Sequence, residues 1–305
     1  MKDSISDKSR EYFPEVVAIR RQLHQHPELS FCEKETAELI KRCLASKYIE
    51  FQSDIAGCGI VATIKGTKTQ NTNPEISYPT IALRADMDAL PIQETNDIPY
   101  RSVNQGVMHA CGHDAHTAML LGTALILNDL RNKFDGTVKL VFQPGEEKLP
   151  GGASLILDSG ILNDVQLIIG QHVTPDLRCG EVGFHPGPYM ASCDEVNILI
   201  KGVGGHGAKP AERNQTVVAA AKIVTRLAEM YPENDETVYK SNGLLSFGEF
   251  LADGTYNVVP SQVSLKGTMR TFDENKRKSL KDNILRIANE TASEHGCTAE
   301  VFIET

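Results

Sequence analysis

The chain of 305 residues is long enough for two domains at roughly 100–200 residues each. Hydrophobic residues make up 41% and charged residues 23%, a globular balance that excludes a disordered chain, and no apolar run is long enough to span a bilayer. Lysine and arginine total 31 against 40 acidic residues, so a net charge of −9 without basic clusters argues against a nucleic-acid partner.

The polar start MKDSISDKSR lacks the apolar segment of a secretory signal. Seven scattered cysteines fit free thiols in a reducing cytoplasm better than a disulfide framework. Residues 11–25 carry apolar side chains at helical spacing, and a second helix is expected over 33–46. β-type runs follow at 60–64 and 80–83, and the polar stretch 67–79 between them reads as a surface loop. A long helix is expected over 115–130, then a strand at 137–142, a helix at 153–158 and a β-run at 165–169. Strands alternating with helices predict an α/β domain with a doubly wound, mostly parallel sheet.

From about Ala191 the rhythm changes. A strand at 195–200 leads into the glycine-rich KGVGGHGAKP, followed by a helix at 215–230 and strands at 243–250 and 263–271. A helix at 273–295 and a strand at 298–303 complete the order β-α-β-β-α-β, the ferredoxin-like α+β pattern. The expected domains are 1–188 and 189–305, with the boundary at HPGPYMA.

The reactive residues fall at strand ends. IALRADMDALP runs out into Asp86 and Asp88, TVKLVFQPGEE into Glu146 and Glu147, and VQLIIGQHV ends near His172. In an open α/β sheet the carboxyl ends of the strands form the ligand rim, so these groups are expected to converge. HACGHDAHTAML adds Cys111 and His113, which an extended backbone would point to one side just before a helix, with Asp114 as a possible helix cap. Thiolate, imidazole and carboxylate together suit zinc, manganese, cobalt or nickel. Singly, each group has a structural reading as a buried thiol, a cap or a solvated acidic pair; together they point to a metal site.

RRQLHQHPELSF, RADMDALPIQE, HACGHDAHTAMLLGTA, FQPGEE, GQHV, GGHGAKP, NVVP and GTMRTF, in this order from residue 20 to 272, resemble the M20 metallopeptidase/amidohydrolase family. The branch it resembles is the one of hippurate hydrolases, N-acyl-amino-acid amidohydrolases and plant auxin-conjugate hydrolases. The resemblance implies two divalent metal ions, Zn²⁺ or Mn²⁺ with Ni²⁺ or Co²⁺ as options, held by Cys111, His113, Glu147 and His172. It implies Glu146 as general base and Asp88 as the carboxylate supporting the site. Asp86 lies where other branches carry a ligand His and is left open as a ligand, whereas His109 and His116 read as local packing and hydrogen-bonding residues. The second domain is similar to the family's lid and dimerisation domain, which implies a homodimer, with His206, Asn257 and Arg270 as substrate-side groups.

The implied activity is hydrolysis of the amide bond of an N-acyl amino acid or a related small conjugate. A dipeptidase or deacylase on the same scaffold and a non-catalytic relative are the alternatives. The family also carries a returning C-terminal part of the catalytic domain with a final ligand His. The sequence to Thr305 has no match to that part, His295 lying outside any matching motif, so an incomplete catalytic domain is expected.

Overall fold

Helix α1 (Lys2–Gln25) begins well before the apolar periodicity that starts at residue 11. Its polar first turns are held by side-chain contacts rather than by core burial. Lys8 Nζ lies 2.8 Å from Asp129 Oδ2, and Ser9 Oγ donates to the Ile5 carbonyl. The structure, a computed structural model, describes residues 2–69, 78–232 and 243–304, so most of the expected loop 67–79 lies outside the described residues. The chain divides into two units, Met1–Glu181 and Val182–Thr305.

In the first unit, helix α2 (Lys34–Ser46) is started by Glu28, whose carboxylate accepts the amides of Glu35 and Thr36 at 3.1 and 2.9 Å. Strands β1 (Glu50–Ile55) and β2 (Gly59–Lys65) form an antiparallel ribbon. β1 was not visible in the sequence because none of its side chains is fully buried, which leaves no clear apolar alternation. Then follow β3 (Thr80–Asp86), α3 (His113–Asp129), β4 (Thr137–Gln143), α4 (Gly152–Asp158) and β5 (Leu167–Gly170).

The sheet order is β1-β2-β4-β3-β5, with β4, β3 and β5 parallel and the β1–β2 ribbon joined antiparallel to β4. Ile60, Ala62 and Ile64 alternate with Val61, so β2 buries both faces. One face packs against α1, α2 and α3 through Leu23, Ile40, Leu44, Leu121 and Leu125, and Ile156 of α4 packs on the other. Helices on both faces and three adjacent parallel strands leave the carboxyl ends of β3, β4 and β5 on one rim.

Among the described residues, the second unit is an antiparallel sheet with two α-helices. Its strands are β6 (Ser192–Lys201), β8 (Leu244–Ala252), β10 (Gln262–Thr271) and β11 (Thr298–Glu304), in the order β11-β6-β10-β8. Helices α5 (Thr216–Met230) and α6 (Glu274–Glu294) cover one face, where Val196, Ile198, Ile200, Val263 and Leu265 meet Ile223, Leu227, Ile284 and Ala288. Truncating Ile198 to alanine in this core would cost about 2–5 kcal/mol. A separate ribbon pairs β7 (Gly205–His206) with β9 (Val258–Val259). Among the described residues no helix is long and apolar enough to cross a membrane.

Candidate metal centre

Each donor reaches the rim for a local reason. Asp86 is the last residue of β3, with Asp88 two residues on, and His172 follows β5. β4 runs into a turn at Gly145, whose φ of +56° and whose closeness to the Phe31 ring, 2.4 Å from where a Cβ would lie, leave room only for glycine. That turn delivers Glu146 and Glu147. Cys111 and His113 meet through the left-handed Gly112 (φ +88°), not through the extended backbone expected from their spacing, and His113 opens α3. Asp114 makes no cap. It is buried, with Oδ2 2.7 Å from Arg20 Nε and 2.8 Å from His24 Nδ1.

Among the described residues, three groups of donor atoms lie within 4.8 Å of one another: Cys111, His113 and His172; His113, Glu146 and Glu147; and Asp86, His113 and His116. His113 is common to all three. Its Nδ1 lies 3.2 Å from Asp88 Oδ1, and its buried Nε2 has no hydrogen-bond partner among the described residues and lies 3.8 Å from Glu147 Oε1. With Nδ1–H donating to Asp88, Nε2 presents an unused lone pair to the other donors. A buried polar atom left in this way costs about 1–3 kcal/mol unless something takes the pair. His172 is oriented in the same sense: Nδ1–H donates to the Val173 carbonyl at 2.6 Å, and Nε2 lies 3.3 Å from Cys111 Sγ. The donor set and the orphaned Nε2 therefore fit a divalent cation of the zinc type.

The third group differs in kind. His116 Nε2 accepts the Val173 amide at 2.9 Å, and Nδ1 donates to Asp86 Oδ1 at 2.7 Å, so both ring nitrogens are occupied. Asp86 Oδ2 accepts from Arg84 Nη1 at 2.7 Å. In these pairings His116 has no free ring nitrogen, whereas each Asp86 oxygen has one partner and keeps a further lone pair.

The electrostatics follow the same division. Burial works to raise the Asp88 pKa, but hydrogen bonds from His113, the Glu147 amide and Ser30 outweigh it and hold the carboxyl at about 2. Asp86 is also depressed, burial being outweighed by His116 and Arg84. His113 is raised, because Asp88 and Asp86 outweigh the opposing effect of burial. Glu146 is raised by burial and by the negative charges of Glu147 and Asp86. Burial and the neighbouring Glu147 push the Cys111 thiol up to about 12.

In the second unit, His206 and Asn257 sit on one ribbon. His206 pairs opposite Val258, its Nδ1 accepts the Ala208 amide at 3.1 Å, and the Gly207 amide donates to the Asn257 carbonyl at 2.7 Å. Arg270 stands on β10 between the buried Met269 and Thr271, exposed on the face away from the helices and opposite Cys193. Sequence reasoning gave no role to Ser30, Glu33 or His24, which support the rim from the α1–α2 segment. The motif RRQLHQHPELSF holds His24 and Ser30, but nothing in its spacing tells which residues they meet.

The chain matches the model of peptidase family M20/M25/M40 over residues 82–291. An N-acetylcysteine deacetylase of Bacillus subtilis (strain 168) is 40% identical over 298 residues, which is 97% of this chain and 75% of that protein. An N-acyl-L-amino acid amidohydrolase of Geobacillus stearothermophilus is 39% identical over 300 residues, 98% of this chain and 78% of that protein. The crystal structure of the Bacillus subtilis YXEP protein, a dinuclear metal-binding peptidase of the M20 family, matches with a TM-score of 0.78 at 38% identity, over 97% of this chain and 74% of that one. With its rim of histidine, cysteine and carboxylate donors, the chain belongs to peptidase family M20/M25/M40.

Proposed function

We propose that the chain hydrolyses the amide bond of N-acyl amino acids or related small conjugates. The observation that carries this reading is the orphaned Nε2 of His113, ringed by Cys111, His172, Glu146 and Glu147 in a family whose relatives include named deacylases. Cys111, His113, Glu147 and His172 are the proposed ligands of two divalent ions, Zn²⁺ or Mn²⁺. When bound, such ions supply Lewis-acid polarisation of the scissile carbonyl and make a water more acidic. Asp88 holds His113 in the tautomer that presents Nε2, and it also accepts the Glu147 amide. Glu146 takes the proton of the attacking water and returns it to the leaving nitrogen as the C–N bond breaks, giving a carboxylate and a free amine.

Residues 1–188 are proposed as the catalytic domain and 189–305 as a lid that also makes a homodimer. His206, Asn257 and Arg270 are proposed as substrate-side groups, Arg270 because a guanidinium can hold a free carboxylate in a bidentate fork. The cytoplasm is the proposed compartment. The test is amine release from N-acetyl and N-benzoyl amino acids and from dipeptides by the protein equilibrated with Zn²⁺ or Mn²⁺. Turnover of acyl amino acids is expected; turnover of dipeptides alone would replace this reading with a dipeptidase.

A further inference from the structure

The turn that carries Glu146 is pinned from two sides by two different carboxyl groups. The Glu147 amide donates to Asp88 Oδ2 at 2.9 Å, and the Gly145 amide donates to Glu33 Oε1 at 2.7 Å. Glu33 is fully buried, and its second oxygen, Oε2, has no hydrogen-bond partner among the described residues. An apolar side chain of the same length would fill that space without the cost of burying a half-satisfied acid, so the acid is not explained by packing.

The segment around Glu33 is shaped to the same end. Phe31 adopts a φ of +64°, unusual for a bulky residue, and its ring lies against Gly145. Ser30 Oγ donates to Asp88 Oδ2 at 2.7 Å, and the Ala89 amide donates to the Glu28 carbonyl at 2.8 Å. One short loop therefore braces the turn after β3 and the turn after β4 together.

We propose that Glu33 is a positioning residue that fixes the Gly145 peptide and so sets the direction in which the Glu146 carboxylate leaves the turn, while Asp88 fixes Glu147 independently. This rests on the reading of Glu146 as general base. Burial raises the Glu33 carboxyl, which makes a neutral amide a fair replacement for it.

The experiment compares Glu33→Gln, which keeps the acceptor, with Glu33→Met, which keeps the volume and deletes it. Each full-length variant is assayed for kcat and KM on an N-acetyl amino acid, and amide exchange at Gly145 and Glu147 is followed by ¹⁵N NMR. Glu33→Gln is expected within about threefold of wild type. Glu33→Met is expected to lose kcat by about 10–100-fold with KM nearly unchanged, the signature of a misdirected reacting group. Its Gly145 amide should exchange at least about tenfold faster while Glu147 stays protected. Should Glu33→Met not fold, Glu33→Asp, one methylene too short to reach Gly145, takes its place with the same expectations. Wild-type kcat and Gly145 exchange in the variant lacking the contact, or equal loss in Glu33→Gln, would overturn the proposal. If no form of the protein turns over an acyl amino acid, the deacylase reading falls by itself, and the Gly145 exchange still decides the role of Glu33.

Discussion

His116 donates from Nδ1 to Asp86 Oδ1 at 2.7 Å, and its other nitrogen accepts the Val173 amide at 2.9 Å. One imidazole thereby ties the end of β3 to the residue after His172. The Val173 carbonyl in turn holds His172 through Nδ1, so the Nε2 that faces Cys111 is aimed by a chain of contacts that starts at Asp86. A metal-ligating imidazole usually owes its orientation to such a partner on its other nitrogen.

Replacing His116 with alanine leaves the Val173 amide and one Asp86 oxygen without their partner, and His172 loses its fixed backbone. The expected result is a fall in metal affinity of about 10–100-fold, measured by competition against a chromophoric chelator. Unchanged affinity would mean that His172 is oriented without His116.

Much of this site was legible because parallel strands carry their chemistry at one end. Asp86, Asp88, Glu146, Glu147 and His172 all follow apolar strands, and the rim rule brings them together without knowledge of any side-chain contact. Pairings between loops were not legible. Ser30 meets Asp88 across 58 residues and Glu33 meets Gly145 across 112, and no periodicity encodes either. Gly112 was visible as a glycine, but neither its left-handed φ of +88°, which brings Cys111 and His113 together, nor the Val173 side chain 2.4 Å from where a Cβ would lie is encoded in the local spacing. The β7–β9 ribbon that carries His206 has two residues per strand, too short for any alternation to register. On β10, by contrast, the alternation of buried Met269 and Thr271 with exposed Arg270 could be read from the sequence.

Glu146→Gln removes the proton acceptor and keeps the shape. A loss of kcat of about 10²–10⁴-fold is expected, with metal content unchanged by elemental analysis. Loss of metal in step with activity would make Glu146 a ligand and move the search for the base elsewhere.

Loading the metal should release protons. The Cys111 thiol sits at about 12 and is protonated at neutral pH, and the raised pKa of His113 keeps a share of its Nε2 protonated as well. A cation must displace both protons to bind the thiolate and the imidazole. Calorimetric titration with Zn²⁺ in buffers of different ionisation enthalpy should give a release of at least about one proton per site, reduced by about one in Cys111→Ser. Equal release in the two proteins would remove Cys111 from the ligand set.

The last expectation concerns His24, buried between Asp114 at 2.8 Å and Glu94 at 3.1 Å, with the Tyr100 ring edge-on at 5.6 Å and Arg20 sharing the same Asp114 oxygen, Oδ2, at 2.7 Å. The Asp114 hydrogen bond raises the His24 pKa, burial opposes it and Glu94 reinforces it. A raised folded-state pKa means that the imidazolium stabilises the fold fully below the ordinary value of about 6.5, and that this contribution is lost as pH rises through the folded value. Each unit of elevation is worth about 1.4 kcal/mol while the imidazole is protonated, and all of it is lost once the group is neutral. Urea unfolding of the chelator-treated protein from pH 6 to 9 should therefore show a falling midpoint, and His24→Gln should fall less steeply. His113, also raised, contributes a fall common to both proteins, so the difference between the two slopes isolates His24. Parallel slopes would mean that the Asp114–His24–Glu94 array does not change its charge in this range.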